Sequence, residues 1–78
     1  MASPTGNYIV VFQDDVTSEQ INNYAEQVEK DGGNIKERFD PILNGFSASI
    51  ADATFQSFQS LQGSVIKYIE PDQTVTTQ

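Results

Sequence analysis

Five consecutive apolar residues near the start of the chain, YIVVF at 8–12, constrain the fold more than any other feature. Alternate residues of a strand point to opposite faces, so both faces here carry apolar side chains: Tyr8, Val10 and Phe12 on one, Ile9 and Val11 on the other. Strands in the middle of a sheet have this pattern because both of their faces are covered. Residues 7–13 are therefore predicted to form a central strand.

A helix is predicted directly after this strand. Thr17 and Gln20 have the spacing of a capping box, which places the start of the helix near Ser18. A single apolar stripe then follows at helical spacing, formed by Ile21, Tyr24, Ala25 and Val28. Glycine is the residue that most often ends a helix, and Gly32 or Gly33 is predicted to end this one.

Two further strands are predicted to pair as a hairpin. Residues 34–40, NIKERFD, alternate as an amphipathic strand does, with Ile35, Glu37 and Phe39 on one face. Residues 46–50, FSASI, alternate in the same way. Asn44 and Gly45 lie between them, and Asn-Gly is a strong signal for a hairpin turn.

The last elements complete a familiar order. Asp52 is predicted to cap a second helix, which carries Phe55, Phe58 and Leu61, and residues 64–70 form a fourth strand. The order βαββαβ predicts an α+β, ferredoxin-like fold, in which both helices lie on one face of a four-stranded antiparallel sheet. The other face then has no helix over it. Its apolar side chains either contact a protein partner or are simply good strand formers, and the sequence leaves both explanations open.

Composition excludes several classes of function. The 78 residues contain no Cys and no His, so disulfides, zinc, haem and iron–sulfur sites are not expected, and neither is a catalytic triad. No catalytic residue, metal ligand or cofactor is predicted, and the chain is not expected to be an enzyme. Its formal net charge of -7 repels nucleic acid and anionic membranes.

Three local patterns suggest other sites, and each has a simpler explanation. Tyr8 and Phe12 resemble the aromatic residues on which RNA-binding sheets stack bases, but the basic surface that accompanies them is missing. Asp14 and Asp15 lack the spaced oxygen ligands of a calcium loop and read as a solvated loop. The sequence GGN at 32–34 follows a predicted helix, where a phosphate-binding loop would precede one.

Taken in order, three segments resemble a known family. YIVVF, the helix ending in GG, and a fourth strand followed by EPDQTVTTQ at 70–78 are similar to the peptidase inhibitors built on subtilisin propeptides. The stand-alone fungal inhibitors of subtilisin-like serine proteases are the most similar group. The resemblance runs from Asn7 to Gln78 and predicts an inhibitor domain at 7–72 and an extended tail at 73–78, after a lead-in at 1–6 without regular structure.

The resemblance also implies how the chain binds a protease. The uncovered sheet face rests on two surface helices of the enzyme, and Glu70 and Asp72 cap the N-termini of those helices. The tail occupies the substrate cleft, with Gln78 in the pocket nearest the catalytic serine, followed by Thr77, Thr76 and Val75. Members of this group also assist the folding of a protease domain, so a chaperone role is a further expectation.

Two alternatives remain open at this point. Within the same family, the second possibility is a propeptide that acts as an intramolecular chaperone and is cut from its own protease. From a different class, a ferredoxin-like regulatory module would dimerise through its sheet and bind a small molecule. As an inhibitor the chain is expected to be a monomer. A cytoplasmic location is favoured over a vacuolar or secreted one because the sequence has no visible signal peptide.

Overall fold

Four strands and two helices make up the protein, in a computed structural model that describes residues 5–40 and 42–72. They are β1 (Thr5–Phe12), α1 (Ser18–Lys30), β2 (Asn34–Arg38), β3 (Gly45–Ala51), α2 (Asp52–Ser60) and β4 (Ile66–Pro71). The strands form one antiparallel sheet in the order β2-β3-β1-β4, with β1 in the interior. The predicted α+β, ferredoxin-like βαββαβ fold is confirmed. Strand β1 begins at Thr5, two residues earlier than predicted.

The hydrophobic core lies between the sheet and the two helices. Its fully buried members include Val10 and Phe12 of β1, Phe46 and Ile50 of β3, and Phe58 of α2. Aromatic rings contact one another across these layers, with centroids 4.3 to 5.8 Å apart: Tyr8 with Phe55, Phe12 with Tyr24 and Phe46, and Tyr24 with Phe58. Such pairs add about 0.5–1.5 kcal/mol each beyond the area that they bury. They are important in a domain too small for a large core.

Helix α1 begins and ends as predicted. The Thr17 hydroxyl accepts a hydrogen bond from the Gln20 backbone N–H at 3.2 Å, and the Gln20 side chain accepts one from the Thr17 N–H at 2.9 Å. This is the capping box. At the other end Gly32 has φ of +99°, a left-handed conformation that glycine adopts without strain. In the described part of the chain, neither helix is long and apolar enough to cross a membrane.

Helix α2 begins differently from the prediction. Asp52 is the first helical residue, and the N-cap position belongs to Ala51, which makes no side-chain capping bond. The prediction that Asp52 is the cap is therefore wrong. The Asp52 carboxylate still lies in the first turn, where it interacts favourably with the helix dipole, and it accepts a hydrogen bond from Gln56 Nε2 at 3.1 Å.

The hairpin between β2 and β3 is confirmed, but Asn44 and Gly45 do not form its turn. The connection spans residues 39–44, and Gly45 is already the first residue of β3. Among the described residues a positive φ occurs only at Gly32 and Gly63, so Gly45 does not have the left-handed conformation that an Asn-Gly turn requires. Packing, described below, explains why glycine is found at this position.

Candidate functional site

The sheet face that points away from the helices is the candidate functional site, and we call it the open face. Its residues include Ile9 and Val11 of β1, Ser47 and Ser49 of β3, Glu37 of β2, and Tyr68 and Glu70 of β4. Their neighbours along each strand point to the helix side, as strand alternation requires.

A bulge in β4 selects which of its residues reach the open face. Phe12 pairs with Ile66 and Val11 pairs with Tyr68, so Lys67 is an extra residue without a partner on β1. Because of this extra residue, Ile66 and Ile69 both point toward the helices and pack in or against the core. Tyr68 and Glu70 then share the open face.

A second bulge has the same effect in β2. Ile35 pairs with Ala48 and Glu37 pairs with Ser47, which leaves Lys36 as the extra residue. Ile35 packs against the core, whereas Glu37 lies on the open face. The predicted alternation, which grouped Ile35 with Glu37, is therefore wrong for this strand.

The pairing register arranges the open face in rows that run across the strands. One row contains Glu70, Ile9, Ser47 and Glu37, in the order β4, β1, β3 and β2. Acidic side chains thus lie at both edges, and an apolar and a small polar residue lie between them. The next row contains Tyr68, Val11 and Gly45.

The β3 residues in the middle of the open face have small side chains or none. Ser47 and Ser49 line β3, and Gly45 has no side chain at all. Val11 is only 2% exposed, while Ile9 is half-buried and Tyr68 is 39% exposed at the edge. A surface of this shape allows a helix or sheet of a partner to approach the backbone closely.

Glu70 and Asp72 lie at one corner of the open face. Glu70 is exposed and pairs with Ile9 at the end of β4. The Asp72 backbone N–H donates to the Asn7 carbonyl oxygen at 2.9 Å, which continues the pairing between β4 and β1 past the end of the strand. Because Glu70 and Asp72 are two residues apart along an extended backbone, their side chains lie on the same face.

The predicted tail residues Val75, Thr76, Thr77 and Gln78 lie outside the described residues. The structure does place the point from which they follow. Strand β4 is at the edge of the sheet and antiparallel to β1, so Pro71 lies beside Tyr8, near the beginning of β1. The chain beyond Asp72 therefore continues from the corner that carries the two acidic residues.

The stacking hypothesis for Tyr8 and Phe12 is wrong. Tyr8 stacks on Phe55 of α2, with ring centroids 4.3 Å apart and planes 15° apart, and Phe12 contacts Tyr24 of α1. Both rings therefore lie beneath the helices and not on the open face. Asp14 and Asp15 are exposed, and no group of three or more possible metal ligands occurs among residues 5–40 and 42–72.

Comparison with known proteins identifies the family of this chain. Residues 7–78 match the family described as peptidase inhibitor I9. This chain belongs to the peptidase inhibitor I9 family. It is 36% identical to serine proteinase inhibitor IA-1 and 35% identical to serine proteinase inhibitor IA-2, both from Pleurotus ostreatus. Each alignment covers 94% of this chain and 97% of the relative.

Membership of the I9 family confirms the resemblance found in the sequence. It also confirms the prediction of a protein other than an enzyme, because both relatives are named as inhibitors. The matched region, residues 7–78, includes Glu70, Asp72 and residues 75–78.

On its helix side, this I9 chain has a polar cluster that stabilises the fold. Arg38 Nε and Nη2 donate to the Asp40 carboxylate at 2.9 and 3.0 Å, and Nη1 donates to Asn22 Oδ1 of α1 at 2.8 Å. The hydrogen bonds from Arg38 hold the pKa of Asp40 below its usual value, assisted by a hydrogen bond from the Ser18 hydroxyl. Arg38 thus joins β2 to α1.

Several residues of this I9 chain were not predicted to lie where the structure places them. Tyr68 and Glu37 reach the open face only because of the two bulges, which strict alternation does not reveal. Ile42 and Leu43, in the connection before β3, are 96% and 45% exposed. Apolar residues in a predicted turn were the available signal for these two.

Proposed function

We propose that this chain inhibits subtilisin-like serine proteases through two joined surfaces, the open face and the carboxyl-terminal tail. The observation that carries the proposal is the family match from Asn7 to Gln78, which includes both surfaces, together with relatives named as serine proteinase inhibitors. The open face rests on two surface helices of the protease, and the tail occupies the substrate cleft.

The shape of the open face supports docking on helices. Its central row contains Ile9, which is half-buried, and Ser47, which is buried, so neither side chain holds a partner away. Burying this surface adds roughly 25 cal/mol for each Å² of apolar area removed from water. A partner contact here buries the exposed part of Ile9, whereas Val11 is already buried within this chain.

The negative charge at the corner of Glu70 and Asp72 supports capping of the protease helices. Glu70 and Asp72 carry carboxylates, and the N-terminus of a helix has unpaired N–H groups and a partial positive charge. A carboxylate placed there contributes about 0.3–2 kcal/mol, depending on how far it is buried. The protein's net charge of -7 also favours approach to a positively charged site.

The tail inhibits by binding in the substrate cleft in the way that a cleavage product binds. An extended segment pairs with the edges of the cleft through backbone hydrogen bonds, and its side chains alternate into pockets. Val75 fits an apolar fourth pocket, and Gln78 lies in the pocket nearest the nucleophile. The body holds the tail at high effective concentration, which keeps this product from leaving.

The same contacts support a chaperone role. A folded I9 domain that binds two helices of a protease stabilises those helices before the rest of the enzyme is complete. Because any ligand that binds only the native state shifts folding toward it, the chain is proposed to assist the refolding of a subtilase domain.

Titration of a purified subtilisin tests the proposal. We expect residual activity to fall linearly and to reach its minimum near equal molar amounts of chain and enzyme. A serine protease of the trypsin fold, assayed under the same conditions, should keep its activity. Full activity of the subtilisin at a several-fold excess of chain would refute the proposed function.

The two acidic residues provide a sharper test of the binding mode. We expect Glu70→Gln and Asp72→Asn each to weaken inhibition by about 2- to 30-fold, because each removes a negative charge beside the N-terminus of a protease helix. Glu26→Gln is the matched control, since Glu26 is exposed on α1, away from the open face. The measurement is the inhibition constant at low and high salt. An equal effect of all three substitutions would mean that net charge alone matters.

A further inference from the structure

The Asn44–Gly45 pair does not form the predicted turn, but an asparagine followed by glycine is prone to deamidation. The backbone nitrogen of a glycine can attack the side-chain amide of a preceding asparagine, because glycine has no side chain to hinder the approach. We propose that Asn44 is a deamidation site that the folded domain protects, and that the product of its deamidation no longer fits the fold.

Asn44 is held in place by its side chain. Its Nδ2 lies 3.0 Å from the Gln13 carbonyl oxygen, 3.3 Å from that of Asp14 and 2.8 Å from that of Val16. These carbonyls belong to the connection between β1 and α1. The two N–H groups of this amide are therefore distributed over three backbone acceptors, which fixes the shape of this loop.

The backbone on either side of the reactive bond is fixed as well. The Asn44 carbonyl oxygen accepts a hydrogen bond from the Phe12 N–H at 2.7 Å. Gly45 is buried and pairs with Val11, and a Cβ at this position would collide with the Val10 carbonyl oxygen. Packing thus requires glycine at 45 and an amide donor at 44, so the reactive pair follows from the fold.

Deamidation requires this arrangement to open. The Gly45 nitrogen gives its proton to a base in solvent and attacks Cγ of Asn44; the bond from Cγ to Nδ2 breaks, and ammonia leaves with a proton from solvent. Water then opens the cyclic imide to aspartate or isoaspartate. Since Nδ2 must leave its three acceptors and the Gly45 nitrogen must leave a paired strand, the reaction proceeds through local opening.

The product cannot restore the native contacts. An ionised carboxylate accepts hydrogen bonds but donates none, and here it would face three carbonyl oxygens. Isoaspartate would in addition lengthen the backbone at the start of β3. Deamidation is therefore irreversible for the molecule concerned. The fraction of time that the molecule spends in the locally opened state determines the rate of deamidation.

Mass spectrometry of digested protein tests protection. The chain is incubated at mildly alkaline pH in native buffer and in guanidinium chloride, and deamidation is measured at each asparagine. The internal controls are the asparagines not followed by glycine, namely Asn7, Asn22, Asn23 and Asn34. In guanidinium Asn44 is expected to react fastest, and in native buffer at least about tenfold more slowly, because only the open fraction reacts. Equal rates at Asn44 in the two buffers, or a rate in guanidinium no higher than that of the controls, would overturn the proposal.

The second half of the proposal is tested on the same samples. The deamidated fraction carries one additional negative charge and separates from unmodified chains by anion exchange. After removal of guanidinium, unmodified chains are expected to regain their circular dichroism, whereas the deamidated fraction should unfold at a lower denaturant concentration or fail to refold. The same unfolding midpoint for both fractions would contradict the claim that the product no longer fits. Neither measurement involves a protease, so the outcome is independent of the proposed function.

Discussion

Deleting Val75–Gln78 is expected to abolish inhibition while the fold stays intact. In the proposed mechanism these four residues are the only part of the chain that enters the substrate cleft. Without them the open face can still contact the protease, but it blocks no catalytic group. Joining two contact surfaces raises affinity by about 10²–10⁴-fold over either alone, and the deletion should lose a factor of this size in addition to losing the block itself.

The control for this deletion is removal of residues 1–4 from the other end of the chain. We expect that truncation to leave the inhibition constant unchanged within error. Far-ultraviolet circular dichroism should be the same for both truncated chains and the full chain, because β4 and its pairing with β1 remain. Equal potency with and without Val75–Gln78 would contradict the proposed role of the tail.

Phe12→Ala is expected to remove a large part of the protein's stability. Phe12 is 1% exposed and its ring contacts those of Tyr24 and Phe46. Truncation of a buried phenylalanine costs about 3–5 kcal/mol, whereas a domain of this size has about 4–12 kcal/mol in total. The variant should also inhibit more weakly, because molecules that fold only on their target lose binding energy to that ordering.

Ile42→Ala is the matched control for this substitution. It also removes a large apolar side chain, but Ile42 is 96% exposed, so we expect a change in stability within about 0.5 kcal/mol. Urea denaturation followed by circular dichroism gives both values. If Phe12→Ala unfolds at the same urea concentration as the unsubstituted chain, the assigned core is wrong; if it is unfolded yet inhibits equally well, pre-folding of the body is unimportant.

The sequence was sufficient to predict the fold because the local signals agree with one another. The apolar run at 8–12 identified the interior strand, and Thr17 with Gln20 identified the start of α1. Patterns of this kind depend on residues close together in the chain. Agreement among such patterns is what makes a topology predictable.

The composition of the open face was harder to predict. Its two bulges arise where strands pair, and pairing is a tertiary property that period-two alternation does not contain. Tyr68 was therefore missed as a surface residue, and Glu37 was wrongly grouped with Ile35 on one face. Gly45 was misread for a related reason: the approach of the Val10 carbonyl, which excludes a side chain, becomes visible only once β1 and β3 are paired.

The predicted site residues came from the resemblance and not from the patterns. Glu70 and Asp72 are ordinary acidic residues at the end of a strand until the family suggests a partner. The structure adds that both lie at the corner from which the chain continues toward Val75. Nothing in the residues alone indicates that the tail binds a cleft.

A crystal structure of the chain bound to a subtilisin tests the central claim most directly. The account predicts that the Gln78 carboxylate lies beside the catalytic serine, that Val75–Gln78 pair with the cleft as an extended strand, and that the open face covers two helices of the enzyme. The account would be contradicted by a complex of inhibited enzyme in which these last residues extend into solvent.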